Sequence, residues 1–500
     1  MLTLSDVWQG LIGASVSVPP ELVGQPITSV VIDSRAAQPG SLFVALRGEK
    51  SDGHLYLADA FTRGARAAIA EARAMELGIT ATFVSQDGTL IRPEVGISGE
   101  EAAGLPYVFL APDSLAALQK VAAHWRAQMP AVVIGVTGSV GKTSTKEMVA
   151  NVLSQRFVTL RSSGNLNNEI GLPLTLLQLT PAHERAVLEM GMYALGEIAH
   201  LCTLARPRIG VVTNVGPTHL ERLGTIERIA QAKAELVQAL PPAEEGGVAI
   251  LNADDPLVRA MAGLTRARVF TYGLNPASDV WADEIMSLGL DGIRFRLHYG
   301  QESFHLRLPI LGRHSVHTAL RGAAVGLVEH LSWTEIIAGL QEVRGQLRIL
   351  VVRGLRDTTL IDDTYNASPA SMLAALNLLE DIMHDPQRAQ AGEQRYIAVL
   401  GDMYELGSYE ETGHRLVGGR AAQVVHKLVT VGRRARWIAE EALASGMQPA
   451  DVHITDNNAD AIAVLLGLIR PGDVVLVKGS RAAAMETIVD ALSRPRPTGS

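Results

Sequence analysis

Five hundred residues exceed the roughly 250–300 that one hydrophobic core organises, so the chain is expected to divide into domains. With 47% hydrophobic and 19% charged residues and no apolar run near the ~18 residues of a membrane span, the composition is that of a globular protein outside the bilayer. A net charge of −8 without a dense Lys/Arg block argues against a nucleic-acid partner, and the single cysteine, Cys202, excludes an internal disulfide and a cysteine-built zinc site.

The N-terminal MLTLSDVWQGL lacks the charged-then-apolar pattern of a signal peptide and reads as a short amphipathic helix, so a cytoplasmic location is expected. Residues 27 to 112 hold short β-rich runs (ITSVVID, SLFVAL, AAIAE, YVFLA) broken by Gly, Pro and Asp, with a helix predicted over 55 to 64. A small α/β domain over 1–112 follows. Within it, the polar, glycine-containing stretch from about 76 to 105 reads as a loop insertion. Past Ser114 the helix SLAALQKVAAHWRAQM leads through Pro130 into AVVIGVT. Strands and helices then alternate to about residue 328, and the core runs VVIGVT, RAVLEM, IGVVTNV and GVAILN predict a parallel, doubly wound sheet in a central domain over 113–330. Cys202, in the apolar IAHLCTLA, reads as a buried small hydrophobe. A third block, 331–500, carries RILVVRG, TTLIDD, YIAVLGD, KLVTVG and DVVLVKG in a Rossmann-like rhythm, yet without GxGxxG, so a nicotinamide cofactor is not supported. The terminal RPRPTGS reads as a disordered tail.

Chemistry concentrates in the central block. Gly138-Ser139-Val140-Gly141-Lys142-Thr143, followed by Ser144, lies between a predicted strand and a predicted helix, the context of a phosphate loop. There, glycines let backbone N–H groups approach phosphates, Lys142 neutralises their charge, and Thr143 offers a hydroxyl to Mg²⁺. The spacing is a shortened GxxGKT, since Val136 stands where the longer pattern has glycine. ATP is the ligand this loop predicts. Glu189 ends the strand RAVLEM, and His219 follows IGVVTNV in NVGPTH; both fall just past strand ends, where open α/β sheets bind ligands. Glu189 is a candidate to hold Mg²⁺ or a water on it and is also compatible with an ordinary strand-end acid, whereas His219 is a candidate metal or substrate contact and is also compatible with a surface loop residue. Lys233, in IERIAQAKAELVQAL, reads as a solvated helix lysine on pattern alone.

The order and wording of these segments resemble the Mur ligase family of peptidoglycan synthesis. GVTGSVGKTSTKEM, SGNLNNEIGLPLTLL, VLEMGM with GEI, TNVGPTHLE, QAKAEL, LNADDP and GRHS run in the family's order. DSRAAQPGSLFVALRGEKSDGH, DDTYNASPASM, GDMYELG and VKGSRAAAME extend the likeness from residue 27 to about 490. The resemblance implies three domains and an ATP- and Mg²⁺-dependent ligase that adds D-alanyl-D-alanine to UDP-N-acetylmuramoyl-tripeptide through an acyl phosphate; a monomer acting on these small molecules is expected.

It also implies roles. Lys142, Glu189, His219 and Lys233 would be catalytic, with Thr143, Glu189, His219 and a carbamylated Lys233 around the metal. Gly138 to Ser144, Asn252, His314 and Asp363 would hold the nucleotide. Ser34 and Arg35 would meet the uridine end, Asn165, Asn167 and Asn168 the sugar-peptide, and Lys478, Ser480 and Arg481 the dipeptide. One departure stands out: where relatives carry Gly-Arg, this chain has Gly345-Gln346, leaving Arg344 or Arg348 to substitute or the contact absent. Asp402 and Glu405 of GDMYELG are equally compatible with structural turn roles.

Overall fold

In the computed structural model, which describes residues 1–13, 15–48, 51–92, 104–342, 350–384 and 394–494, the apolar runs become strands of three sheets. The first contains Val30–Val31 (β1), Leu42–Val44 (β2), Ala67–Ala70 (β3), Thr82–Val84 (β4), Leu90–Ile91 (β5) and Tyr107–Leu110 (β6). Their order is β1-β2-β3-β6-β4-β5, parallel except for the β4–β5 pair. The N-terminal helix, Leu4–Ile12, starts on a capping box between Thr3 and Asp6 and buries Leu4, Val7 and Trp8.

The expected loop insertion over 76 to 105 is corrected here. Thr82–Val84 is a buried sheet strand paired with β6, and Leu90–Ile91 pairs back onto it. A three-residue strand flanked by Gly, Ser, Gln and Asp gives too short an apolar signal to stand out from its polar surroundings. Residues 93–103 lie outside the described residues.

The second sheet contains Val132–Thr137 (β7), Thr159–Arg161 (β8), Arg185–Glu189 (β9), Ile209–Val212 (β10), Val248–Asn252 (β11), Arg268–Gly273 (β12), Val280–Ser287 (β13), Ile293–Tyr299 (β14) and Glu302–Leu308 (β15), in the order β15-β14-β13-β12-β11-β10-β7-β9-β8. Pairing is parallel from β10 to β13 and between β8 and β9, but β13–β14–β15 is an antiparallel meander. The predicted all-parallel sheet is thus corrected at one edge. Those edge strands bury only alternate residues, so they lack the continuous apolar runs by which the core strands were recognised.

The third sheet contains Leu350–Arg353 (β16), Thr359–Asp363 (β17), Tyr396–Gly401 (β18), Lys427–Val431 (β19), Val452–Thr455 (β20) and Val474–Lys478 (β21), ordered β16-β17-β21-β18-β19-β20. Only β16 is antiparallel. Along β18, Ala398 and Leu400 join one apolar cluster while Ile397 and Val399 join another. Both faces are therefore covered, as a Rossmann-like sheet requires. The predicted tail falls outside the described residues from 495 on, as do Arg344, Gly345, Gln346 and Arg348.

By compactness the chain divides into two units: Met1–Ile134 with Phe157–Gly191 and Ala199–Pro207, and Gly135–Arg156 with Met192–Ile198 and Arg208–Ser500. In the second, the helix Lys142–Leu153 is buried almost throughout. The helix Trp333–Gln341, capped by Ser332 and Glu335, lies so close that a Cβ on Gly339 would stand 2.4 Å from Val152 Cα. Gly339→Ala must push backbone against backbone, and the expected loss is about 1–3 kcal/mol, read as a lower urea midpoint. An unchanged midpoint would contradict this packing.

Candidate functional site

The phosphate loop begins where β7 ends. Gly138, at φ +144°, and Gly141, at φ +83°, occupy conformations that side chains rarely adopt, and a Cβ on Gly138 would stand 1.8 Å from Thr213 Oγ1. The loop is fastened to the segment after β10. Ser139 N donates to Asn214 O at 2.9 Å, and Thr213 N donates to Thr137 O at 2.9 Å. Val140 N donates to Asn214 Oδ1 at 2.9 Å while Asn214 Nδ2 donates to Val140 O at 3.0 Å. Ser139 Oγ accepts from Gly216 N at 2.9 Å and from Thr218 Oγ1 at 3.1 Å. Ser139 and Val140 thus spend their N–H groups on Asn214 and contribute the loop's shape. The helix Lys142–Leu153 follows, with Gly141 as its N-cap residue, and the positive end of its dipole faces the loop. Lys142 Nζ folds back over the loop, donating to Gly138 O at 2.9 Å. Thr143 is buried, and Ser144 follows it in the first turn.

His219 sits at φ +59° just before the short helix Leu220–Leu223. Its Nδ1 lies 2.6 Å from Glu405 Oε2, and the edge of its ring meets Tyr193. The imidazole holds the Glu405 carboxyl below the usual carboxylate range. Glu405, from GDMYELG, therefore reaches a candidate site residue that sequence reasoning did not pair with it. Lys233 is 2% exposed, on the buried face of the helix Ile226–Gln238, so the solvated reading of its pattern is overturned. Burial, and next the charge of Lys142, drive its pKa well below that of a free lysine.

Asn252 ends β11 with both ends of its amide engaged: Nδ2 donates to Thr213 O at 3.0 Å, and Oδ1 accepts from Asp254 N at 3.1 Å. His314 lines a cleft of ≈ 990 Å³. The residue as a whole is exposed, yet desolvation of its imidazole, followed by the charges of Lys478, His317 and Arg321, pushes its pKa down to about 4. The imidazole is neutral at neutral pH. Asp363, at the end of β17, is paired with Lys478 at 2.7 Å, and Lys478 Nζ also donates to Asn366 O at 2.8 Å. Ser480 Oγ accepts from Tyr404 N at 3.0 Å, whereas the Arg481 side chain is largely exposed over Tyr365. The second unit therefore gathers the phosphate loop, Lys233, His314, Asp363 and Lys478 within electrostatic or hydrogen-bonding reach of shared neighbours.

In the first unit, Glu189 ends β9 with 2% exposure; Asn167 Nδ2 donates to its Oε1 at 2.8 Å, and its own N donates to Ser162 Oγ at 3.0 Å. Asn165 O accepts from Asn167 N at 2.8 Å, and Asn168 Oδ1 accepts from Gly171 N at 2.9 Å. These amides shape a loop around a buried carboxylate. Ser34 is buried, while Arg35, 82% exposed in its side chain, pairs with Asp33 and holds that carboxyl at about 2. Among the described residues, no group of three His, Cys, Asp or Glu side chains is arranged to bind a metal alone.

The chain matches the Mur ligase family, catalytic domain, over residues 26–108, the Mur ligase middle domain over 136–326 and the Mur ligase, glutamate ligase domain, over 347–481; it belongs to the Mur ligase family. It is 38% identical over 523 residues to the UDP-N-acetylmuramoyl-tripeptide--D-alanyl-D-alanine ligase of Mycobacterium tuberculosis, covering 100% of this chain and 99% of the relative. Among solved structures it resembles MurF from Acinetobacter baumannii, with a TM-score of 0.77, 30% identity and 98% of each chain covered. It also resembles the MurF ligase of Thermotoga maritima in complex with ADP, with a TM-score of 0.70, 27% identity, and 93% and 96% covered.

Sequence reasoning missed Asn214 as the fastener of the loop, Glu405 as the neighbour of His219, and Asp363 as the partner of Lys478. Only the last had a signal, two charged residues at adjacent strand ends. Lys478→Met leaves the Asp363 carboxylate buried without its cation, and the expected cost is about 3–5 kcal/mol by urea unfolding. Adding Asp363→Asn should recover most of it; equal stability of Lys478→Met and wild type would refute the pairing.

Proposed function

We propose that this chain is an ATP-dependent ligase that joins D-alanyl-D-alanine to the terminal carboxylate of UDP-N-acetylmuramoyl-tripeptide, giving UDP-N-acetylmuramoyl-pentapeptide, ADP and phosphate in cytoplasmic peptidoglycan precursor synthesis. The observation that carries the reading is end-to-end similarity to ligases of that name, at 38% identity across the whole chain; the glycine loop between β7 and the helix Lys142–Leu153 supports it. Three domains, 1–112 for the UDP-sugar, 113–330 for ATP and 331–500 for the dipeptide, working as a monomer, fit this division of labour.

A carboxylate resists attack because oxide is a poor leaving group. Transfer of the γ-phosphoryl group to a carboxylate oxygen forms an acyl phosphate and releases ADP. The dipeptide amine then attacks the carbonyl carbon, the C–N bond forms as the amine proton is lost, and the C–O bond breaks to release phosphate. Gly138, Gly141 and the N-terminus of the helix Lys142–Leu153 receive the phosphates, and Lys142 swings its ammonium from Gly138 O to the γ-phosphoryl oxygens. Ser139 and Val140 keep the loop in register for this, and Ser144, in the first helical turn, offers its backbone N–H to the same phosphates.

Mg²⁺ would be held by the Thr143 hydroxyl, the Glu189 carboxylate and His219, with Lys233 as a carbamate. Hydroxyl, carboxylate and carbamate oxygens are the hard donors this ion takes, and bound there it would neutralise charge on the transferring phosphoryl group. A deeply buried lysine with a depressed pKa supplies the neutral amine that carbamylation needs. Asn252 and His314 suit the adenine, the neutral imidazole avoiding a charge beside the base, and Asp363 suits the ribose. Ser34 and Arg35 suit the uridine end, and Asn165, Asn167 and Asn168 the sugar-peptide. Of the dipeptide set, Arg481 is the exposed cation for a carboxylate, while Lys478 and Ser480 hold the loop that carries it.

The test is phosphate release by the purified protein with ATP, Mg²⁺ and both acceptors. Release should need UDP-N-acetylmuramoyl-tripeptide and D-alanyl-D-alanine together, and release independent of either would sink the reading. Lys142→Ala should lower kcat by about 100–1,000-fold. Isotopically labelled bicarbonate should give a carbamate NMR signal that is lost in Lys233→Ala.

A further inference from the structure

Arg321 lies in the helix Val316–Val328, within the otherwise apolar run ALRGAAVG, and is 4% exposed. Its Nε donates to His317 O at 2.8 Å and its Nη2 to Thr318 Oγ1 at 3.2 Å. Both partners belong to its own helix, one turn back, so these bonds tie it to nothing else. The guanidinium stands 5.8 Å from the centre of the Tyr272 ring, whose hydroxyl is spent on Val212 O and Thr213 O. Nη1 is buried and has no hydrogen-bond partner among the described residues.

Among the described residues, no carboxylate pairs with Arg321. The acids near Tyr272 are committed elsewhere: Asp254 to His317 at 2.8 Å and to Leu274 N, and Asp255 to the N–H groups of Val215, Leu257 and Val258. What the guanidinium does face is the phosphate loop. From the point where a Cβ on Gly141 would stand, Nη1 is 3.3 Å away, Nη2 3.6 Å and Cζ 3.9 Å. Gly141 is the residue before the first turn of the helix Lys142–Leu153, so the cation lies beside an N-terminus that itself favours anions.

A buried cation with one donor unmet and no counter-ion is unfavourable by several kcal/mol. An anion supplied by a ligand removes that penalty. We infer that Arg321 is a further nucleotide-binding residue of this chain, its unpartnered Nη1 meeting a phosphate of the bound nucleotide from the Gly141 side of the loop. The inference rests on the ATP reading above and adds to it a residue outside the loop motif, reached only through the packing of one helix on another.

Isothermal titration of the full chain with ADP, a non-hydrolysable ATP analogue and adenosine tests it. Arg321→Gln should weaken ADP and the analogue about 10–100-fold, the worth of a hydrogen bond to a charged group, while adenosine binds as to wild type. Arg321→Lys should recover part of the loss, and the salt dependence of ADP binding should be shallower in Arg321→Gln. Unchanged ADP affinity in Arg321→Gln, or an equal loss for adenosine, would overturn the assignment. Should Arg321→Gln not fold, nitrogen NMR of arginine-labelled wild type decides: the Arg321 Nε signal, assigned by its absence from Arg321→Lys, shifts with ADP and not with adenosine, and no shift overturns the proposal. A wild type that binds neither ADP nor the analogue defeats the ATP reading itself, which is a separate result.

Discussion

The Asn214 amide clamps the phosphate loop. Its Oδ1 accepts from Val140 N and its Nδ2 donates back to Val140 O, so the middle of the loop is clamped in both directions. Thr213, one residue earlier, fills the space that any side chain at position 138 would need. The loop between β7 and its helix is therefore moulded by the exit of β10, the neighbouring strand. Everything that depends on loop geometry, including the placement of Lys142 and Thr143 at the helix start, inherits this constraint.

Cations buried in the two units are stabilised in different ways, and the differences separate scaffold from site. Arg126, in the first unit, donates to three backbone carbonyls, of Ala205, Met129 and Ala131, and is structurally complete. Lys478 has a carboxylate partner. Lys233 is shifted toward its neutral form by burial. Arg321 keeps a donor unmet. The first two arrangements are finished by folding, whereas the last two are not.

What the sequence made legible follows from the reach of its signals. Continuous apolar runs located β7, β9, β10 and β11 and five of the six strands of the third sheet: strands covered on both faces carry the pattern in consecutive residues, and Leu350–Arg353 carries it although that edge strand is largely exposed. VHIT of β20, at the sheet's edge, and the half-exposed β13 to β15 did not carry it. Glycine spacing placed the phosphate loop because the requirement is local. Lys233 was misread from pattern alone, since flanking alanines suit a buried face as well as an open one, and only the family likeness pointed inward. Asn214 and Glu405 act across the fold on partners far away in the chain, Arg321 faces a loop remote in sequence, and no local rule connects them.

The pairing of Lys478 with Asp363 bears on what the end of β17 can attract. A bare carboxylate in a cleft draws metal ions and stray amines as readily as it draws hydroxyl groups. With an ammonium 2.7 Å away, Asp363 presents an electrically neutral pair whose oxygens still accept hydrogen bonds. Such a pair discriminates by charge: it accepts hydrogen bonds from neutral donors and is indifferent to cations.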